Sequence, residues 1–204
     1  MINPFSWPQK RLLIEALSIM RILGISGSLR AASINSTLLR AAARLAPPGV
    51  VLQVFDGVGQ LPLFNPDLEA QMPSAVIALH SAVAAADALL VASPEYAHGV
   101  TGSIKNTLDW LVSFEPFVGK PVAVLNASPR ARHADAALRE TLMTMSAFIV
   151  DAASVSIPLL GAAFSEDDMV HDPVVSCAIR SALVDLYENV MNGKPQHGAS
   201  SAFL

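Results

Sequence analysis

The chain has 204 residues and a net charge of −4 at pH 7, which is long enough for one α/β domain with a substantial core. Hydrophobic residues make up 52% and charged residues only 15%, against about 25% charged in an average globular protein, so part of the apolar surface is expected to be covered in a subunit contact. The acidic balance does not favour a nucleic-acid partner, and no apolar run reaches the roughly 20 residues that a membrane helix needs.

The two ends of the chain differ in composition from its middle. Residues 1–19 are expected to form a poorly ordered extension, because they show no sustained periodicity, although Leu12–Leu17 has the composition of a short helix. Glu15 interrupts the apolar run there and no small-residue cleavage site follows cleanly, which argues against a secretory signal. Residues 194–204 are small and polar, which is typical of a flexible tail. The folded domain is therefore predicted over residues 20–193.

Five short apolar runs bounded by Gly, Pro or Asp predict buried parallel strands. They are Ile22–Ile25, Val50–Phe55, Ala88–Ala92, Val122–Leu125 and Ile149–Ser156. Segments with apolar residues at helical spacing alternate with the runs. This alternation predicts an α/β fold with a doubly wound five-stranded parallel sheet in the order 2-1-3-4-5 and helices on both faces. In such a sheet a ligand binds where the carboxyl ends of strands 1, 3 and 4 meet.

The helical faces are read from apolar residues three or four positions apart. They comprise Leu38, Leu39, Ala42 and Leu45 after strand 1; Val76, Leu79, Val83 and Ala86 before strand 3; Ile104, Leu108, Leu111 and Val112 after strand 3; Leu138, Leu142 and Met145 after strand 4; and Val175, Ile179, Leu183, Leu186 and Val190 at the end. The last helix is expected to stop at Gly193 and Pro195.

A loop rich in hydroxyl side chains follows the first strand. It reads Gly24-Ile25-Ser26-Gly27-Ser28-Leu29-Arg30, and an amphipathic segment begins near Ser33-Ile34-Asn35-Ser36. The backbone N–H groups at a helix start are unpaired and lie at the positive end of the helix dipole, while the serine hydroxyls, the Asn35 amide and the Arg30 guanidinium add donors. The loop lacks the Gly-Lys-Ser/Thr of a P-loop and the G-x-G-x-x-G of a dinucleotide fingerprint. The pattern predicts a monophosphate ligand held mainly by hydroxyls and amides.

Two further polar loops follow strands 3 and 4. The first runs from Ser93 to Ser103, and Pro94 fixes the chain as it leaves the strand. Tyr96 follows two residues later, where it can lie against a flat ring, and Thr101 or Ser103 can cap the next helix. The second loop, Asn126-Ala127-Ser128-Pro129-Arg130, is again polar and turn-forming.

Taken together, these segments resemble the NAD(P)H-dependent FMN reductase family, a branch of the flavodoxin-like fold. The resemblance covers roughly Arg21 to Met191 and is carried by three segments: Gly27-Ser28-Leu29-Arg30 with Ser33 and Asn35; Pro94-Glu95-Tyr96; and Ser103-Ile104-Lys105-Asn106-Thr107-Leu108-Asp109-Trp110-Leu111.

The resemblance implies which residues hold the cofactor FMN, and it implies no metal ligand. The phosphate is expected in the loop formed by Ser28, Leu29, Arg30, Ser33, Asn35 and Ser36. The isoalloxazine ring is expected against Pro94, Glu95, Tyr96 and His98, with a third contact at Ser128. No catalytic residue is assigned, because hydride transfer through a flavin needs no obligatory general acid or base.

Some of these residues depart from the family pattern or have a simpler interpretation. Family members often carry Asn after the tyrosine, where this chain has Ala97 and His98. In the loop after strand 4, this chain has Pro129 and Arg130 where the family is often rich in glycine and serine. Both departures lie at the flavin edge or where the second substrate would enter. They therefore leave the identity of the second substrate open, more than the binding of FMN. Glu95 is expected to act through its backbone, with a solvated carboxylate.

Two pairs of charged residues keep two interpretations each. Lys105 and Asp109, one helical turn apart, form a surface pair or line a dimer contact. Arg130 and Arg132 either contact the 2′-phosphate of NADPH or are plain surface arginines.

The function implied by the resemblance is an FMN-dependent oxidoreductase. It would pass hydride from NADPH or NADH to a small-molecule acceptor (free flavin, a quinone, an azo compound or a metal oxyanion) in ping-pong order. A homodimer or homotetramer is expected. Cys177 is the only cysteine, which excludes an intramolecular disulfide and favours a reducing, cytoplasmic location.

Two alternatives remain open from the sequence. One is a flavodoxin-type electron carrier without nicotinamide activity, although such carriers usually present a strongly acidic docking face and the acids here cluster only in Glu166–Asp172. The other is a phosphate-binding relative of the fold that has lost its flavin.

Overall fold

A five-stranded parallel sheet forms the centre of the protein, in a computed structural model that describes residues 19–159 and 164–193. Its strands are β1 Met20–Ser26, β2 Val50–Phe55, β3 Ala88–Ala92, β4 Pro121–Val124 and β5 Phe148–Ile149. All four neighbouring pairs are parallel, and the order is β2-β1-β3-β4-β5. The strand order predicted from the sequence is therefore confirmed.

Among the described residues, six α-helices connect or follow the strands. They are α1 Ile34–Leu45, α2 Ser74–Ala85, α3 Gly102–Asp109, α4 Arg132–Thr144, α5 Glu166–His171 and α6 Pro173–Gly193, with short 3₁₀ turns at Gly57–Gln60, Pro66–Gln71, Glu115–Phe117 and Asp151–Ala153. Among the described residues no helix is both long and apolar enough to cross a bilayer.

Successive strand residues point to opposite faces of the sheet, which divides the core into two layers. Ile22 and Leu90 face one layer, which contains α1, α5 and α6. Leu23 and Leu89 face the other, which contains α2, α3 and α4. Helices on both faces cover a sheet that is apolar on both sides, as an all-parallel sheet requires.

The predicted extent of the fifth strand is wrong. The sequence predicts Ile149–Ser156, whereas the strand ends at Ile149 and a 3₁₀ turn follows at Asp151–Ala153. Ser154 explains the break, because its Oγ accepts from the amide of Val124 at 3.0 Å and donates to a backbone carbonyl at 2.9 Å. The Ser154 side chain thus takes the place of a backbone partner between β4 and the chain after β5. Backbone pairing between these two segments resumes only at the bridge between Asn126 and Ser156.

Helix α3 is shorter than its predicted face. It ends at Asp109, so Leu111 is buried in the following turn while Val112, predicted to be buried, is 62% exposed. The expected extension and tail lie outside the described residues, apart from Ile19 and Gly193 at their borders.

Helix α3 also anchors the long loop after β2. The Asn106 amide accepts from the backbone of Phe64 at 2.8 Å and donates to the Pro62 carbonyl at 3.0 Å. The Trp110 indole donates to the same carbonyl at 2.8 Å. Asn106 therefore ties this loop to α3. The sequence did not predict this role, because there Asn106 only stands next to the Lys105–Asp109 pair.

Candidate functional site

Three polar loops meet at the carboxyl edge of the sheet, as the strand order requires. They follow β1, β3 and β4 and are called here the first, third and fourth loops (residues 27–33, 93–101 and 125–131). A cavity of about 290 Å³ opens between them. Its lining comprises Ile34, Asn35, Ser93, Pro94, Glu95, Asn126, Ala127, Ser128, Arg130 and Ala131.

The cavity contains four of the eleven residues predicted for the site. Asn35, Pro94, Glu95 and Ser128 line it directly. The other seven lie on the same loops or on the first turn of α1 but outside its lining: Ser28, Leu29, Arg30, Ser33, Ser36, Tyr96 and His98.

A larger cavity of about 780 Å³ lies elsewhere, where β4 and β5 begin and α6 ends. Its lining includes Pro121, Phe148 and Glu188. Because ligands of open parallel sheets bind at the carboxyl ends of the strands, we assign the functional site to the smaller cavity between the loops.

The start of α1 presents unpaired donors beside this cavity. Ser33 is the N-cap, and its Oγ accepts from the amide of Ser36 at 3.4 Å, which leaves the amides of Ile34 and Asn35 without an intrahelical acceptor. Asn35 is only 3% exposed, and its side-chain oxygen is the single buried side-chain polar atom without a hydrogen-bond partner in the described part of the chain. Buried polar atoms are nearly always paired, so Asn35 marks the cavity wall as a polar binding surface.

The first loop is held by its own hydroxyls. Ser26 and Ser36 share a hydrogen bond of 2.8 Å between their Oγ atoms, and the Ser28 Oγ accepts from the amide of Arg30 at 3.4 Å. Leu29 is 64% exposed, and the Arg30 side chain is exposed with no ion pair to another described residue. The loop therefore offers one unpaired guanidinium and several hydroxyls to solvent.

Gly27 brings the first and third loops together. Its amide donates to the Ala92 carbonyl at 2.8 Å, and its carbonyl accepts from the Thr101 and Ser103 hydroxyls at 2.6 and 2.8 Å. A Cβ at this position would lie 2.1 Å from the Ser93 Oγ. Only glycine permits this approach, and Thr101 is the N-cap of α3, as the sequence allowed.

The third loop contains a two-residue hairpin turn. The amide and carbonyl of Tyr96 each bond those of Gly99, at 3.1 and 3.0 Å. Between them Ala97 and His98 have φ of 50° and 58°, the left-handed region that a type I′ hairpin turn requires at both positions. The Tyr96 side chain is 53% exposed and stands at the rim.

The Glu95 side chain crosses to helix α4. Its Oε2 accepts from the backbone amide of Ala134 at 2.9 Å, so the expectation of a solvated carboxylate is wrong. His98, three residues later, stacks on His133 with ring centroids 4.4 Å apart and planes 8° from parallel.

Three exposed arginines lie on the first and fourth loops or directly after the fourth. Arg30, Arg130 and Arg132 are exposed, and none makes an ion pair with the described residues. The acidic stretch at α5 lies elsewhere and is paired in part, since Glu166 bonds both Arg40 and Arg44. Within residues 19–159 and 164–193 no cluster of three metal-ligating side chains occurs.

Sequence reasoning missed several residues of the site. Ser93 directly follows β3 and Asn126 lies two residues after β4, beside predicted site residues, and that position was the available signal. The Asn126 Oδ1 accepts from the amide of Ser128 at 2.9 Å and shapes the fourth loop. His133 carried no signal, because only the folded chain brings it to His98.

Comparison with known proteins gives a consistent picture. Residues 20–160 match the model of the family described as NADPH-dependent FMN reductase. Over 159 residues the chain is 38% identical to an NAD(P)H-dependent FMN reductase of Pseudomonas aeruginosa, covering 75% of this chain and 85% of the relative.

More distant similarity extends to quinone reductases and to a solved flavoenzyme. The chain is 30% identical over 113 residues to the quinone reductase of Escherichia coli, covering 53% of this chain and 60% of that protein. The flavoenzyme NAD(P)H:acceptor oxidoreductase of Paracoccus denitrificans superposes with a TM-score of 0.71 at 24% identity, over 85% of this chain and 98% of that one. At that identity the superposition shows the flavodoxin-like fold.

Proposed function

The chain belongs to the NADPH-dependent FMN reductase family, and from this premise we propose that it is an oxidoreductase that binds FMN in the cavity between its three loops. The proposal is carried by one observation above the others: Asn35, whose buried side-chain oxygen has no hydrogen-bond partner among the described residues, lines that cavity at the start of a helix. NADPH or NADH is the reductant, and a small molecule is the acceptor.

The first loop fits the phosphate of FMN. The amides of Ile34 and Asn35 lie at the positive end of the 12-residue helix α1, where a phosphate is stabilised by both hydrogen bonds and the helix dipole. The Ser28 hydroxyl and the Arg30 guanidinium add donors on the solvent side.

The third and fourth loops fit the flat ring. The hairpin bond uses the amide of Tyr96, so the amides of Ala97 and His98 remain for the carbonyl oxygens of a ring. Amides aimed at those oxygens stabilise negative charge on the ring. The Pro94 ring and the Tyr96 side chain provide apolar surface at the same place.

When bound in this cavity, FMN would supply the redox chemistry, which is the transfer of hydride from a nicotinamide to an acceptor. The chain's own residues would bind and orient the reactants at the cavity between the three loops. We propose that the nicotinamide and then the acceptor enter there in turn, which is ping-pong order. Free flavin, quinones, azo compounds and metal oxyanions are the acceptors to try.

The protein is also proposed to act as a homodimer or homotetramer in the cytoplasm. Leu63 and Val112 are 83% and 62% exposed, and apolar side chains at such exposure suit a subunit contact. Light scattering on the purified protein measures the assembly directly.

Titration with FMN and then with NADPH tests the proposed function. Tight FMN binding, followed by loss of the flavin absorbance within seconds of adding NADPH, is expected. FMN binding without a response to either nicotinamide would favour the electron carrier, and no FMN binding would favour a fold relative without flavin.

A further inference from the structure

The hairpin of the third loop is strained. Ala97 and His98 both adopt left-handed φ values, 50° and 58°, where a residue with a Cβ is disfavoured and glycine or asparagine is preferred. Such conformations persist only where surrounding contacts hold them, and they are enriched at binding sites.

Glu95, immediately before the hairpin, makes the first of these contacts. Helix α4 begins with Ala131 at the N-cap, which makes no side-chain capping bond. Ala134 is the third residue of the helix, and its amide is the one that an N-cap side chain would normally serve. Glu95 serves it instead, at 2.9 Å and from 39 residues away in sequence.

His98 makes the second contact, from within the turn. Its ring stacks on that of His133, the second residue of α4. Both contacts therefore join the third loop to the start of α4, and both segments contribute to the cavity lining, through Glu95 and Ala131.

We propose that Glu95 is a positioning residue, whose carboxylate holds the strained hairpin of the third loop against the start of α4 and so sets the wall that receives the isoalloxazine ring. This inference rests on the proposed function for its ligand, but the contact itself does not depend on a ligand. The side chain acts through the backbone of residues 96–99, and it does not touch the reacting atoms.

A set of variants separates the role of Glu95 in holding the third-loop hairpin from its role as a cap of helix α4. Glu95→Ala removes both roles, and Glu95→Gln keeps an acceptor for the Ala134 amide. Glu95→Ala combined with Ala131→Ser restores a local cap for the same amide but no tie to the loop, with Ala131→Ser alone as its reference. For each variant we would measure the melting temperature, the FMN Kd and hydrogen exchange at the Tyr96 and Gly99 amides.

In Glu95→Ala the FMN Kd is expected to rise about tenfold, which corresponds to the loss of one charge-assisted hydrogen bond. The amides of Tyr96 and Gly99 are expected to exchange about tenfold faster. Glu95→Gln should restore most of the FMN affinity and most of the protection from exchange.

The double variant should recover the melting temperature of Ala131→Ser, while its FMN Kd and its amide exchange stay altered. The proposal would be overturned if the double variant recovered the melting temperature, the Kd and the exchange rates together, or if exchange were unchanged in Glu95→Ala. If the unaltered protein binds no FMN, the proposed function fails, and the exchange rates still decide the role of Glu95.

Discussion

The hydroxyl of Thr101 donates a hydrogen bond of 2.6 Å to the backbone carbonyl of Gly27, 74 residues away in sequence. The same Oγ1 accepts from the amide of Ile104 at 3.2 Å and so caps α3. One buried side chain therefore fixes the first loop to the start of a helix behind the third loop.

Thr101→Val is expected to lower the free energy of unfolding by about 1–3 kcal/mol, because it removes both a helix cap and a buried hydrogen bond. Denaturant unfolding measures the change. Thr107→Val, at a buried threonine of the same helix, removes only a bond to the Ser103 carbonyl and should cost less. Equal losses in the two variants would contradict a special role for Thr101.

Gly27→Ala is expected to abolish FMN binding or weaken it severely. Its Cβ would lie 2.1 Å from the Ser93 Oγ and 3.1 Å from the Ser93 Cα, and backbone cannot yield cheaply. Gly102→Ala is the matched control, because nothing lies within 4 Å of a Cβ at that position. Fluorescence titration of FMN compares the two, and equal affinities would show that the first and third loops need not approach so closely.

Ser28→Ala combined with Arg30→Ala is expected to weaken FMN affinity at least about tenfold, given about 1.5–3 kcal/mol for a hydrogen bond to a charged group. Arg21→Ala provides the control, since this exposed arginine lies near the opposite end of β1. An unchanged FMN Kd in the double variant would count heavily against phosphate binding at the first loop.

The sequence predicted the sheet because buried parallel strands leave a clear signal. The runs at β1 to β4 are apolar and short, and their order follows from the alternation with helices. The prediction from the sequence failed at residues 150–156, which it assigned to the fifth strand. There Ser154 supplies a side-chain hydrogen bond that hydrophobic periodicity does not reveal. Within the site, the loops were predictable as strand ends, whereas the Glu95 contact to Ala134 and the stacking of His98 on His133 join distant residues and leave no local pattern.

The capping box of α5 predicts a small pH dependence of stability. Hydrogen bonds from the Ser165 hydroxyl and backbone amide, aided by nearby His171, lower the pKa of the Asp168 carboxyl below its usual value. A depressed pKa stabilises the fold at pH values above the unfolded pKa of about 3.9, and this stabilisation is lost as the pH falls through the folded value. Asp168→Asn should therefore melt below the unaltered protein at pH 7, and the difference in melting temperature should narrow as the pH falls below about 3.9. A difference that does not narrow below that pH would contradict this origin. Asp67→Asn controls for the change in net charge.

The most direct test of the account is a crystal structure of the protein grown with FMN. We expect the phosphate at the amides of Ile34 and Asn35 and the ring between the third and fourth loops, beside Tyr96 and Ser128. FMN bound elsewhere, with the cavity between the three loops empty, would contradict the account.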